Sequence, residues 1–272
     1  MNNIKKYIFT ISISVGLIIA VSVYIYKDLN YSVTSVNEKI EENSGILLDP
    51  NQKASGYEVS VEEINEKAVQ TETLEGKAPN LDLPAINYSH LEDAVFKIAS
   101  QNIAILSSDL KKDPQDNLKW LNLAILRKML GDYKVSVEIL NFVAILWPND
   151  YVAYNNLADL YQYYIKNPAL AEKNWLKVIE LKPDYIESYQ SLFTLYLEGY
   201  IGKYQPLSIL LKGFSQNPHS TDIIINIARY YKKAGDNDSA IIYYKKAIEE
   251  DKALKDAPLE SSLRTELAEI SG

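Results

Sequence analysis

The sequence predicts an all-α repeat protein, and three observations predict it. Apolar residues recur three or four apart through most of residues 89–272, the spacing that puts side chains on one helix face. Pro148, Pro183 and Pro218 stand 35 residues apart, and Pro114 stands 34 before the first of them. Each interval holds two amphipathic stretches with a turn between them, and two short helices cannot bury two apolar faces alone, so the unit must stack on copies of itself.

The interval from Trp120 to Pro148 shows the unit most clearly. Trp120, Leu123, Ala124 and Arg127 share one face of a first helix. Gly131-Asp132 breaks the pattern, with Asp132 suited to cap the second helix. Ser136, Ile139, Leu140 and Val143 then share a face, and Pro148 ends the run. The next intervals repeat the arrangement with Tyr154, Leu157, Ala158, Tyr161, Ala171, Trp175 and Val178, then Tyr189, Leu192, Phe193, Tyr196, Leu210 and Gly213, then Ile224, Ile227, Ala228, Tyr231, Gly235, Ala240, Tyr244 and Ala247. Asn167-Pro168 reads as cap and first residue of a helix, and Asp236 as another cap.

These units resemble the tetratricopeptide repeat family, whose pattern is W-x2-L-G-x2-Y…A-x3-F…A…P over 34 residues. The stretch IIINIARYYKKAGDNDSAIIYYKKAIEEDK matches it most fully. The resemblance covers about half of the chain and implies an α-solenoid of four repeats, 117–150, 151–185, 186–220 and 221–254, together spanning 117–254. Repeats two and three each carry one extra residue near the turn, and Pro206 stands where the pattern has a small packing residue. The helical run 89–112, with Ser89 as its cap and His90 opening it, is expected to cap the stack at its N-terminal end. Residues 255–272, with Leu259, Leu263 and Leu267 four apart, are expected to cap the other.

Upstream, residues 7–26 carry no charge and no proline. Twenty residues at helical rise span about 30 Å, the thickness of a bilayer's hydrocarbon core. Lys5 and Lys6 precede the run and the segment after it is acidic, so residues 1–6 are expected in the cytoplasm and the rest outside, a single-pass anchor in the cell membrane. The alternative is secretion after cleavage near Ser22, where Ala20-Val21-Ser22 offers small residues at suitable spacing. Residues 27–88 read as an acidic flexible linker, with PNLDLPAINY at 79–88 running extended over the first repeat helices.

Composition narrows function. The net charge is −8, and twelve acids against five lysines in residues 27–90 account for most of it. The 182 residues from 91 onward are nearly balanced, with no basic stripe for nucleic acid. There is no cysteine, hence no disulfide, thiolate metal site or cysteine nucleophile. No catalytic signature appears: GYIGK at 199–203 lacks phosphate-loop spacing, and Asp236-Asn237-Asp238 lacks the rest of a calcium loop. The chain is therefore read as a non-enzyme without cofactor or metal.

The resemblance implies that partners bind the groove lined by the first helix of each unit. Carried over position by position, it assigns Leu121, Ile125 and Met129 in repeat one, Asn155, Asp159, Gln162 and Tyr163 in repeat two, Gln190 and Thr194 in repeat three, and Arg229, Lys232 and Lys233 in repeat four. This surface would run from apolar through amide to basic, suiting a peptide with an apolar anchor and an acidic end. The expected function is a membrane-anchored protein-interaction scaffold. The alternative is an assembly component of an envelope complex that uses the convex face and caps.

Overall fold

In the computed structural model, residues 78–199, 206–254 and 257–271 are described. The expected tail, anchor and most of the linker, residues 1–77, lie outside them. Among the described residues every regular element is a helix, and no helix is long and apolar enough to cross a membrane. The residues form two compact units, one ending at Trp147 and the other starting at Pro148.

The first unit holds α1 (Asp93–Lys112), α2 (Asn117–Met129) and α3 (Tyr133–Leu146). Asp116 caps α2 by accepting from the Lys119 amide. α2 and α3 pair through the faces the sequence marks: Trp120, Leu123, Ala124, Ile139, Leu140 and Val143 are each at most 1% exposed. The Trp120 ring lies edge-on to Phe142 at 5.0 Å, and its indole N–H donates to the Pro114 carbonyl. Ser136 donates its hydroxyl to the Ala124 carbonyl, which satisfies a polar group inside the pair.

Residues 79–88 run over α2 without regular structure, as expected, but the helix expected from residue 89 starts later. Ser89 does not cap a helix. Its backbone N–H donates to the Leu130 carbonyl, His90 takes a positive φ of 51°, and α1 begins only at Asp93. The segment forms a strap, tied by Arg127 to the carbonyls of Leu83 and Pro84 and by an ion pair between Asp82 and Lys111. Asp132 stands at the start of α3 without making a cap bond, because its carboxylate turns to Arg127 instead. Gly131 has φ +79°, and its Cα faces Ser89 and Tyr88 of the strap so closely that no side chain fits.

The second unit holds three hairpins and a closing helix. α4 (Tyr151–Asp159) runs into a π-helix (Leu160–Ile165) and pairs with α5 (Pro168–Leu181). α6 (Ile186–Leu197) pairs with α7 (Pro206–Gln216), α8 (Thr221–Lys233) with α9 (Asn237–Leu254), and α10 (Ala257–Ala268) packs on α9. Asn167 caps α5, Ser220 caps α8, and Asp236 accepts from the Ser239 amide in the first turn of α9.

The extra residue of repeat two is absorbed by the π-helix, the usual form of a one-residue helical insertion. Lys166 closes it in the left-handed region at φ 61°. In repeat three Pro206 opens the 11-residue α7, a position that needs no backbone N–H. Gly213 of α7 lets Tyr189 and Ile223 close in, since an added Cβ would lie 2.9–3.0 Å from them.

Candidate functional site

The groove residues assigned from the repeat pattern separate into three groups. Leu121 and Met129 on α2 are 5% and 6% exposed and offer almost no surface, so the expected apolar anchor of repeat one is mostly core. Ile125 beside them is part-exposed.

In the second unit, Gln162 is a correction. The π-helix turns its side chain inward, where Oε1 accepts from the Trp175 indole at 2.7 Å and Nε2 donates to the Ser191 carbonyl at 3.3 Å. It is 6% exposed and serves the core. Thr194 is also 6% exposed, and its hydroxyl back-bonds to the Gln190 carbonyl one turn earlier.

The repeat-four bases are the third group. Arg229 makes a two-pronged bond to Glu266 of α10, Nε to Oε2 at 3.1 Å and an NH2 nitrogen to Oε1 at 2.7 Å. The Tyr244 hydroxyl donates to the same carboxylate at 2.7 Å, and Lys232 donates to Glu269 at 2.5 Å. Burial works to raise the Glu266 pKa, but hydrogen bonds from Arg229 and Tyr244 outweigh it and hold the carboxyl below its ordinary value. Beneath these contacts Leu263 is fully buried, with Leu259, Leu267 and Ile270 packed beside it. α10 is thus a seated cap whose acids occupy the residues expected to receive an acidic partner. Lys233, one residue on, is exposed.

What remains part-exposed on the first helices is a patch where α4 and its π-turn face α6. Asn155 hydrogen-bonds the Tyr185 hydroxyl, which donates to Glu187 at 2.5 Å. The Asn155 Oδ1 is enclosed and has no donor among the described residues. Tyr163 hydrogen-bonds Ser191. Burial pushes the Tyr163 hydroxyl pKa up, and the neighbouring charges of Asp159, Glu187 and Glu198 push it further in the same direction. Three carboxylates therefore act on one phenol. Gln190 stands part-exposed on α6 between Glu187 and Thr194.

Helical spacing marks neither Tyr185 nor Glu266. Tyr185 sits at the residue before α6, outside the helical face pattern, and Glu266 belongs to a cap whose apolar spacing alone is visible.

Other features offer less chemistry. A cleft of about 590 Å³ lies between the strap and α1, lined by Leu83, Ala85, Phe96, Ile103, Ser107 and Lys111 among others. Among the described residues no group of His, Asp and Glu is arranged to hold a metal ion. His219 is paired with Glu250 at 3.1 Å.

Comparison with known proteins places one hairpin directly. The family model described as tetratricopeptide repeat matches residues 221–254, the α8–α9 hairpin. No curated protein is matched by the sequence. Among solved structures the chain is similar to MamA, with 24% identity over 57% of this chain and 88% of that one, TM-score 0.46. It is also similar to TTC0263, a thermophilic TPR protein of Thermus thermophilus, with 20% identity over 65% and 93% of the two chains, TM-score 0.40. YrrB, described as a TPR protein with an unusual peptide-binding site, aligns at 15% identity over 59% and 97%, TM-score 0.31.

Proposed function

We propose that this chain, whose α8–α9 hairpin matches the tetratricopeptide repeat model, is a membrane-anchored, non-catalytic scaffold that holds a peptide or protein segment against the first helices of its repeats. The observation that carries this reading is the patch on α4 and α6, where Asn155, Asp159, Tyr163 and Gln190 stand part-exposed on neighbouring first helices. Polar side chains on adjacent helices can engage one segment lying across both. Residues 7–26 would hold the repeats at the membrane and raise the local concentration of any membrane-bound partner.

The test is crosslinking and capture from native membranes with the full chain and an Asn155→Ala/Gln190→Ala variant of unchanged helicity. A protein captured by the natural chain and lost from the variant supports the reading. Equal capture by both overturns it. Weight would then move to the second helices, where Ile242 of α9 is 64% exposed, and so to the assembly role. Carbonate extraction and protease access from outside the membrane check the anchor and its orientation.

A further inference from the structure

We infer that a second copy of this chain docks on the outer face of α1, the two helices lying antiparallel about a two-fold axis. This surface is separate from whatever the first helices of the repeats hold. α1 packs inward through Ala99, Ile103, Ser107 and Leu110. Ile98 and Ile105 lie on the opposite side of the same helix and are 37% and 54% exposed. Ala94, Ile98, Gln101 and Ile105 follow one another by four, three and four residues, and all are exposed. That is the spacing of a seam filled by a partner helix. The cleft beneath the strap lies to one side of it, lined by Phe96, Ser100 and Ser107 and by neither isoleucine. Two exposed isoleucines alone would be ordinary surface; their spacing and the charges around them specify a partner.

A two-fold antiparallel helix pair needs a pattern that is complementary to itself about its own midpoint. Ile98 and Ile105 are centred between residues 101 and 102, and Asp93 and Lys112 between residues 102 and 103. Turning α1 end over end about that point sets Ile98 beside Ile105 of a second copy. It also sets Asp93 of the first turn beside Lys112 of the copy's last turn. Neither Asp93 nor Lys112 makes an ion pair among the described residues. Gln101 meets its own copy near the axis, where an amide both donates and accepts. A parallel pairing would instead set Asp93 against Asp93 and Lys112 against Lys112, which repel. Charge therefore selects both the partner and its direction.

The chain has no cysteine, so single cysteines report the contact without background. The test oxidises the full chain in permeabilised cells that express it, using variants of unchanged helicity, and reads the rate at which a disulfide-linked dimer forms. Gln101→Cys, at the axis, is expected to link to its copy. Ala94→Cys would stand about 24 Å from its copy along antiparallel helices, beyond the reach of a disulfide, and is expected to stay single. Adding Lys112→Glu to Gln101→Cys is expected to slow linking roughly tenfold at low salt, the scale of turning two exposed ion pairs into two repulsions. Adding Asp93→Lys/Lys112→Glu instead restores the pair with its signs exchanged and is expected to recover the rate.

Absence of a Gln101→Cys dimer would overturn the inference. So would Ala94→Cys linking as fast as Gln101→Cys, which would mean parallel or random encounter. A rate that Lys112→Glu leaves unchanged, or that the double reversal fails to recover, would overturn it as well. None of these results bears on the groove reading, which stands or falls by capture with Asn155→Ala/Gln190→Ala.

Discussion

Two arginines, Arg127 on α2 and Arg229 on α8, each fasten a neighbouring segment to a hairpin, and they do so by different chemistry. Arg127 is 1% exposed. It directs its fork at the carbonyls of Leu83 and Pro84 and at Asp132. Arg229 is part-exposed and directs its fork at one carboxylate, Glu266. The strap has no helix to offer and presents bare backbone, whose carbonyls need donors. The α10 cap satisfies its own backbone and presents side chains. An irregular segment is therefore fastened by a buried cation to neutral acceptors, and a helical cap by a surface ion pair above an apolar seam.

The largest effect expected from this difference is at Arg127. Arg127→Met keeps the stem but leaves Asp132 and two carbonyls without their donor, and breaking a buried charged pair costs about 3–5 kcal/mol. Chemical unfolding followed by circular dichroism should show that loss. Arg229→Met, tested alongside, should cost less, since water can reach its part-exposed partner. Equal costs would break the comparison, because they would mean that the strap is fastened no more deeply than the cap.

Two glycines sharpen it. Gly131 and Gly235 end α2 and α8 with the same left-handed backbone, φ +79° and +78°. A Cβ on Gly235 would meet nothing within 4 Å, while one on Gly131 would lie 2.8 Å from the Ser89 Oγ and 3.0 Å from the Tyr88 Cβ. Gly235→Ala therefore carries only the penalty of left-handed backbone, about 1–2 kcal/mol. Gly131→Ala adds a collision with the strap, for a further loss of about 1–3 kcal/mol. The difference in unfolding free energy between the two variants measures the strap contact itself. No difference would show that the strap yields freely.

How far these features are legible in the sequence follows from how local they are. The hairpins are, because Trp120 and Tyr189 each stand six residues after a proline whose carbonyl they hydrogen-bond, and such spacing survives in one dimension. The buried face of Arg127 is legible too, from its place beside Trp120, Leu123 and Ala124, although its partners on the strap are not. The groove is only partly legible. Position counting puts Gln162 on the open face, but one inserted residue converts the end of α4 to a π-helix and turns that amide into the core against Trp175. Counting also leaves Arg229 and Lys232 open, because their acids lie 37 residues on and no period relates them. Strap, π-turn and cap pairing all depend on contacts between elements, which helical spacing does not encode.

The smallest expected effect discriminates best between the two fastenings, because it depends on protons. The Glu266 carboxyl titrates below its ordinary value in the folded chain, so its contribution is complete above the unfolded value of about 4.3 and is lost as pH falls through the lower folded value. Glu266→Gln keeps the shape and removes the charge, at a cost of about 1 kcal/mol near neutral pH for a part-exposed pair. Amide exchange of residues 257–268, corrected for intrinsic rates, should show the natural chain better protected than the variant at about pH 7. The two should converge as pH falls through the lowered folded value, where the protonated carboxyl of the natural chain and the uncharged amide of the variant alike give Arg229 no anion. The Leu83 and Pro84 carbonyls have no proton to gain in that range, so the Arg127 bonds to them persist while the α10 pairing is lost. A gap that stayed constant with pH would place the value of Glu266 in packing instead of charge, and the two arginines would then differ only in depth.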